Sequence, residues 1–439
     1  MKFLEKLKSK YIFPVCIIAI CLLVGFACFN AYRNRTITIG VFVGSPWGVP
    51  DAYSYEFIDD AIKAFEDKYP GVHVEYVSGI MKEDYSEWLS SKILSGTAPD
   101  VFMILPEDFS LLEKIGSCMP LDNIIERDKS FDSNDFYEGA YEFGNVNGVQ
   151  YAIPFESAPD MMFVNKTLLA KETILVPDED WTWDDLYNIC QRVTKDTDGN
   201  GIVDQFGIYN YSWEQAFISN GVEYFDEDGK YCSIQGENAV EAVDFLKKLD
   251  ALKCGAVVKA TDFDMGKVAF MPVTLAEYRT YKPYPWSIKK YSNFNWECIT
   301  LPKGPNGSNK SKMNTLLMGM NSRTHNKKLA FELMKMFCYD KDIQFEVYKY
   351  RGGGSVLKSI LNENQALLIE NQALPKNSSL NVGMIHSIME EGIKDYNFRD
   401  VNEAKKIISE DINSIIENDE NSLIALKHLQ RKVNQYLNK

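Results

Sequence analysis

The hydrophobic pattern changes period several times along the chain, and each change marks an element. Residues 36–44, TITIGVFVG, form a β-branched run closed by glycine, which reads as a buried strand. In YEFIDDAIKAFEDKYPG, Phe57, Ile58, Ala61, Ile62 and Phe65 recur at helical spacing until Pro70 and Gly71 end the helix. VHVEYV alternates as a second strand, a second helix covers about residues 85–94, and GTAPDVFMIL gives a third strand. This alternation predicts an α/β fold with a mostly parallel open sheet and helices on both faces. Ligands of such sheets sit at the carboxyl ends of the strands.

Further on, GVQYAIPFESAPDMMFVNKTLL reads as one extended segment. DWTWDDLYNICQRVT then predicts a helix capped at Thr182, with Asp185 in its first turn. More helices are expected over 237–253, 327–339, 403–418 and from 423 to the end. WECITLPKGPNG reads as strand then turn, and RGGGS at 351–355 as a flexible junction.

A chain of 439 residues, 45% apolar, is long enough for two or more packed domains. Its first 35 residues carry +5, so the remainder carries −20 of the net −15. That sign disfavours nucleic acid, whose phosphates select basic surfaces. From Tyr11 to Phe29 there is no charge, with four lysines before this run and two arginines soon after. Nineteen apolar residues at helical rise span a bilayer core, and the flanking charges leave the rest of the chain outside. A cleaved signal and lipidation at Cys28, in GFAC, are the other readings of the same segment. All three place the remainder outside the membrane. Six cysteines beyond the run, from Cys118 to Cys338, are spread singly and read as small buried hydrophobes rather than a disulfide framework.

One motif stands apart. In KDTDGNGIVDQFGIY, Asp196, Asp198, Asn200 and Asp204 fall at the spacing of a calcium loop, with the carbonyl of Ile202 between them. Gly199 and Gly201 supply the sharp turn, while Gly207 stands at the twelfth position, where the bidentate glutamate of a calcium switch belongs. The loop therefore reads as a structural clip for calcium. A turn of Asp, Asn and Gly that holds itself without metal is the competing reading.

The order of several short stretches resembles the sugar-binding, maltodextrin-type branch of the extracellular solute-binding proteins of ABC importers. These are AIKAFEDKYPGVHVE, LSSKILSGTAPDVF, YAIPFESAPDMMFVNKTLL, DEDWTWDDLYNICQRVTKDTDGNGIVDQFGI, GKVAFM, ITLPKGPNG and NKKLAFELMKMF. The resemblance implies a periplasmic-binding-protein-like fold of two α/β lobes joined by hinges at YAIP, ITLP and RGGG. Residues 1–35 would be signal or membrane anchor. The first lobe would take 36–151 and 299–350, the second 152–298 and 352–439. It also implies a structural calcium at the loop, with Gln205 added to the ligands.

Carbohydrate binding calls for aromatic faces against the ring and fixed polar groups for the hydroxyls. Loops at strand ends offer Trp47, Asp51, Glu107, Asp108, Glu156 and Asp160 on one side. Trp213, Tyr278, Arg279 and Trp286 face them from the other. For each tryptophan the competing role is packing. The expected function is capture of a carbohydrate outside the cell and its delivery to an ABC permease, with no catalysis. A sensing subunit for a membrane receptor kinase is the alternative within the fold. A secreted glycoside hydrolase is the alternative outside it, since 62 acidic residues make some carboxylate pair inevitable. Against an enzyme, the four histidines are scattered, and neither H-E-x-x-H nor G-x-S-x-G is present.

Overall fold

The computed structural model describes residues 36–49, 56–281, 294–361, 382–398 and 400–439, with Ile18, Ile20 to Leu23 and Gly25 from the N-terminal segment. The elements used below are, in the first third, β1 (Thr36–Gly40), α1 (Glu56–Lys68), β2 (His73–Tyr76), α2 (Lys82–Leu94), β3 (Val101–Ile104) and α3 (Phe109–Lys114). Then come β4 (Ala152–Asn165), α4 (Trp183–Val193), β5 (Phe206–Ile208), α5 (Trp213–Ser219), α6 (Glu237–Ala251), β6 (Val268–Thr274) and α7 (Leu275–Arg279). The last are β7 (Trp296–Ile299), β8 (Lys312–Met320), α8 (Lys327–Cys338), α9 (Lys341–Tyr350), β9 (Gly354–Ser355), β10 (Ile393–Lys394), α10 (Val401–Glu417) and α11 (Ser422–Leu437).

β1 pairs in parallel with β2 and with β3, as the alternation of strand and helix predicts. α1 buries Phe57, Ile58, Ala61, Ile62 and Phe65, the stripe legible in the sequence. α2 starts three residues before the apolar pattern does, because Glu83 and Asp84 suit a helix N-terminus electrostatically though they bury nothing.

One strand joins two lobes. β4 is buried along all 14 residues. Its first part, from Ala152 to Pro159, pairs antiparallel with β8, whose other edge continues onto β3. From Asp160 to Val164 it pairs instead with β6, and β5 lies on the far edge of β6. The path β2-β1-β3-β8-β4-β6-β5 is therefore continuous, with β7 and β9 also on β4 and β10 on β8. A strand buried on both faces reads as a near-continuous apolar run, which is why this segment shows no alternation.

Two local readings change. The extended segment does not run to Leu169. It turns helical at Lys166, where the Asn165 side chain accepts the Leu168 N–H and caps the turn. RGGGS is a tied segment, since Gly354 and Ser355 pair with Ser157 and Glu156 of β4. The cap of α4 is the predicted one: Thr182 and Asp185 satisfy each other's backbone N–H. Cys118, Cys190, Cys232, Cys298 and Cys338 are buried and unbridged, and Cys254 is exposed. No helix among the described residues is long and apolar enough to cross a membrane, and the run 11–29 lies almost wholly outside them.

Candidate functional site

The loop after β1 and the strand β4 meet at Glu156. This carboxylate is fully buried. Its Oε1 accepts Trp47 Nε1 at 2.7 Å and the Gly353 N–H at 2.6 Å, and its Oε2 accepts Arg351 Nε at 3.0 Å. Arg279, at the end of α7 in the second lobe, donates through Nη1 to the carbonyls of Arg351 and Gly353 and stacks over Tyr348. Trp47, Glu156 and Arg279, from three separate parts of the chain, thus converge on residues 351–353. The half-buried Trp47 indole lies against Gly352, where an added Cβ would sit 3.4 Å from the ring and 3.5 Å from Ala276 of the second lobe. Aromatic face, carboxylate and glycine backbone therefore line the seam between the lobes.

A second polar cluster spans the same seam. Lys312, at the start of β8, reaches Glu214 of α5 at 2.7 Å and Asp395 at 3.7 Å. Lys405 of α10 bridges the same two acids, each at 2.6 Å. Tyr224 adds a hydroxyl to Glu214 at 2.6 Å. Burial works against the charge on Glu214, but Lys405 and Lys312 outweigh it and hold the carboxyl down at about 2. Asp160 lies beside this cluster and accepts a 3.3 Å hydrogen bond from Gln215. Burial, and then Glu214 and Glu277, push it up to about 6 against the pull of Lys312. Trp213 borders the cluster too, but it is 7% exposed and gives its Nε1 to Ser409 at 2.7 Å.

The other sequence-selected residues sit elsewhere. Glu107 and Asp108 follow β3, where Glu107 pairs with Lys82 at 3.5 Å and Asp108 accepts from Ser86 at 2.6 Å. Burial raises Asp108. Tyr278 is fully buried, edge-on to Phe163 and Trp296, in the core of the second lobe. Asp51, Trp286 and Cys28 lie outside the described residues.

The loop 196–205 winds around Asp196, whose two oxygens accept the N–H groups of Asp198, Gly199, Asn200 and Gly201. Gly199 and Gly201 have φ of 75° and 88°, conformations that cost glycine nothing. Asp204 accepts from Thr197, Asn200 from Ile202, and Asp198 from Asn200. These bonds, led by the Gly201 N–H, hold Asp196 below the usual carboxylate range. The Gln205 NH2 group donates to Glu172 and to the Val193 carbonyl. Among the described residues no three acid, histidine or cysteine side chains gather closely enough to hold a metal. Gly207 is required by packing, because its Cβ would stand 2.5 Å from Cys190 of α4.

Sequence reasoning did not single out Arg351, Lys312, Glu214, Asp395 or Lys405. Lys405 and Ser409 lie one helical turn apart between Val401 and Ile412, a polar pair on an otherwise apolar stripe. That was the one available signal.

Replacing Glu156 by Gln removes the buried carboxylate that Arg351 pairs with at 3.0 Å, which costs about 3–5 kcal/mol. Urea unfolding should show this loss, and Glu156→Gln/Arg351→Met should recover much of it; a single-variant cost under about 1 kcal/mol excludes the pair as a support. Asp160 has a raised folded pKa, so its stabilising contribution is present below its unfolded value near 4 and disappears as pH rises through about 6. Asp160→Asn should therefore gain on the wild type by up to about 3 kcal/mol between pH 4 and pH 7. Unfolding free energies that run parallel across that window contradict the assignment.

The same fold recurs in solved structures. An ABC substrate-binding protein from Listeria monocytogenes in complex with cycloalternan superposes with a TM-score of 0.67 at 19% identity, over 92% of this chain and 99% of that one. The cyclic α-maltosyl-1,6-maltose binding protein of Arthrobacter globiformis gives 0.75 at 16% identity, over 92% and 98%. The sugar-binding protein MalE of Xanthomonas citri gives 0.74 at 16%, over 92% and 97%. Residues 50–337 match the family described as bacterial extracellular solute-binding protein. The chain therefore belongs to the bacterial extracellular solute-binding proteins.

Proposed function

We propose that the chain is the extracytoplasmic receptor of an ABC importer, which closes two lobes on a carbohydrate and passes it unchanged to membrane permease subunits. The observation that carries this reading is the seam built from Trp47, Glu156 and the glycines at 352 and 353. An indole face suits the apolar side of a sugar ring, and a fixed carboxylate suits its hydroxyls. The sugars for which the structural neighbours are named point to the same ligand class. The change of partner along β4 supports two lobes, but it falls between Pro159 and Asp160, so residues 152–159 go with the first lobe rather than the second as the limits 36–151 with 299–350 and 152–298 with 352–439 have it. Closure follows when the ligand binds the shut form more tightly than the open one. The N-terminal segment would keep the receptor at the membrane, as a spanning helix or through a lipid on Cys28.

We propose in addition that loop 196–205 takes calcium as a brace on the second lobe. Asp196, Asp198, Asn200, Asp204 and the Ile202 carbonyl form an oxygen-only donor set, which suits a hard cation. Bound calcium would have to draw the Asp196, Asp198 and Asp204 carboxylates closer than they stand here, taking oxygens that now accept backbone N–H groups. Gln205 would add its amide oxygen, since only its NH2 group is committed to Glu172 and Val193.

Thermal unfolding against linear and cyclic maltodextrins tests the first reading. A ligand at 100-fold its Kd adds about 2.7 kcal/mol, a shift of a few degrees, and Trp47→Ala should abolish it. Chromatography of the same samples should return the sugar intact. No shift with any saccharide, or a cleaved one, ends the proposal. For the brace, chelator should lower the melting temperature and added calcium restore it; a melting curve indifferent to both removes the metal.

A further inference from the structure

At the end of the first lobe where β1 and β3 begin, opposite Trp47, lies a cavity of about 630 Å3. Thr36, Thr38, Asp100, Ser117 and Asn326 contribute its polar lining. The Asp100 carboxylate accepts from Thr38 and Thr324 and is the one acid among the described residues of the lining, so it sits among the basic residues at the opening rather than being removed by them. Two apolar side chains that line the cavity stand in solvent: Leu94 is 88% exposed and Ile115 56%.

Near them are basic residues that local structure does not explain. Arg323 and His325 line the cavity, and Lys327 and Lys328 follow in the first turn of α8, which holds no acid. All four are exposed. Lysine in a first turn opposes the helix dipole and weakens the helix. Among the described residues no ion pair compensates Arg323, Lys327 or Lys328. On a chain of net charge −15, this cationic rim around exposed apolar residues is a local exception.

Its position supplies the partner. Thr36 lines the cavity, and the uncharged run ends at Phe29, seven residues earlier in sequence. Seven residues reach about 25 Å at most. A membrane-held segment would therefore keep this end of the lobe within that distance of the bilayer.

We propose that this end of the first lobe is a membrane-docking surface, with Arg323, Lys327 and Lys328 against anionic lipid headgroups and Leu94 and Ile115 at the acyl boundary. The proposal rests on the reading that the N-terminal segment remains membrane-held. Each cation near an anionic surface favours contact by roughly fivefold, and the apolar pair adds burial. The ligand seam then opens at the end of the lobe away from the lipid.

The test uses the full chain reconstituted into vesicles, either pure phosphatidylcholine or phosphatidylcholine with phosphatidylglycerol. Flotation reports whether the chain is membrane-held. Lysine acylation, read by mass spectrometry and normalised to exposed Lys406 of α10, reports the face. In anionic vesicles Lys327 and Lys328 should react about threefold or more slowly than in detergent, with less slowing in phosphatidylcholine alone. Leu94→Asp/Ile115→Asp should still float, melt like the wild type and lose the protection. A chain that floats with both lysines fully reactive overturns the docking surface and leaves the anchor standing. A chain that does not float overturns both.

Discussion

A charge buried between the lobes sets the terms for everything near it. Glu156 has no access to water, so its ionised form requires Arg351, and that pairing in turn fixes where residues 351–353 run. Gly353 must be glycine there, since a Cβ would stand 2.6 Å from the Glu156 carboxylate. With the segment fixed, its carbonyls become the acceptors that Arg279 needs from the second lobe. One carboxylate thus orders the loop after β1, the crossing strand, the glycine segment and α7.

Much of the fold was legible because local rules and tertiary packing agree. The stripe on α1, the capping box of α4 and the stop at Pro70 and Gly71 each name an element by its own chemistry. The readings that changed did so where a side chain competes with backbone pairing. Asn165 caps a helical turn where a β-rich run suggested more strand. At 354–355 the missing signal was a partner: two residues form a strand only because β4 offers a free edge.

The site was legible only in part, for a different reason. Trp47 stands in the loop after β1, which the sheet pattern marks as functional ground, whereas Glu156, expected in a strand-end loop, lies within the buried strand β4, as does Asp160. Lys312, Glu214 and Lys405 come from three elements and Asp395 from the loop after β10, more than 180 residues apart at the extremes, and no local pattern links them. Tyr278 illustrates the opposite case. A tyrosine after a strand looks like a surface group, yet the ring completes the packing of Phe163 and Trp296. Long-range packing decides such residues, and periodicity does not report it.

The hydrogen bonds at Glu156 also limit what a ligand can gain there. A carboxylate offers about four acceptor positions, and Trp47, Gly353 and Arg351 take three of them. In this arrangement at most one remains, so the sugar proposed above could add no more than one hydroxyl there. Under that proposal, affinity would come chiefly from ring stacking and from groups that ligand entry frees, the Trp47 N–H among them. A ligand that turns this indole donor toward its own oxygen would leave Glu156 with a vacant position and compensate by filling it with a hydroxyl. Exchange of one internal hydrogen bond for two to the ligand couples recognition to the seam itself, because the same carboxylate holds the segment on which the second lobe's Arg279 rests. Binding and closure would be joined through a single residue, without a signal passed across either lobe.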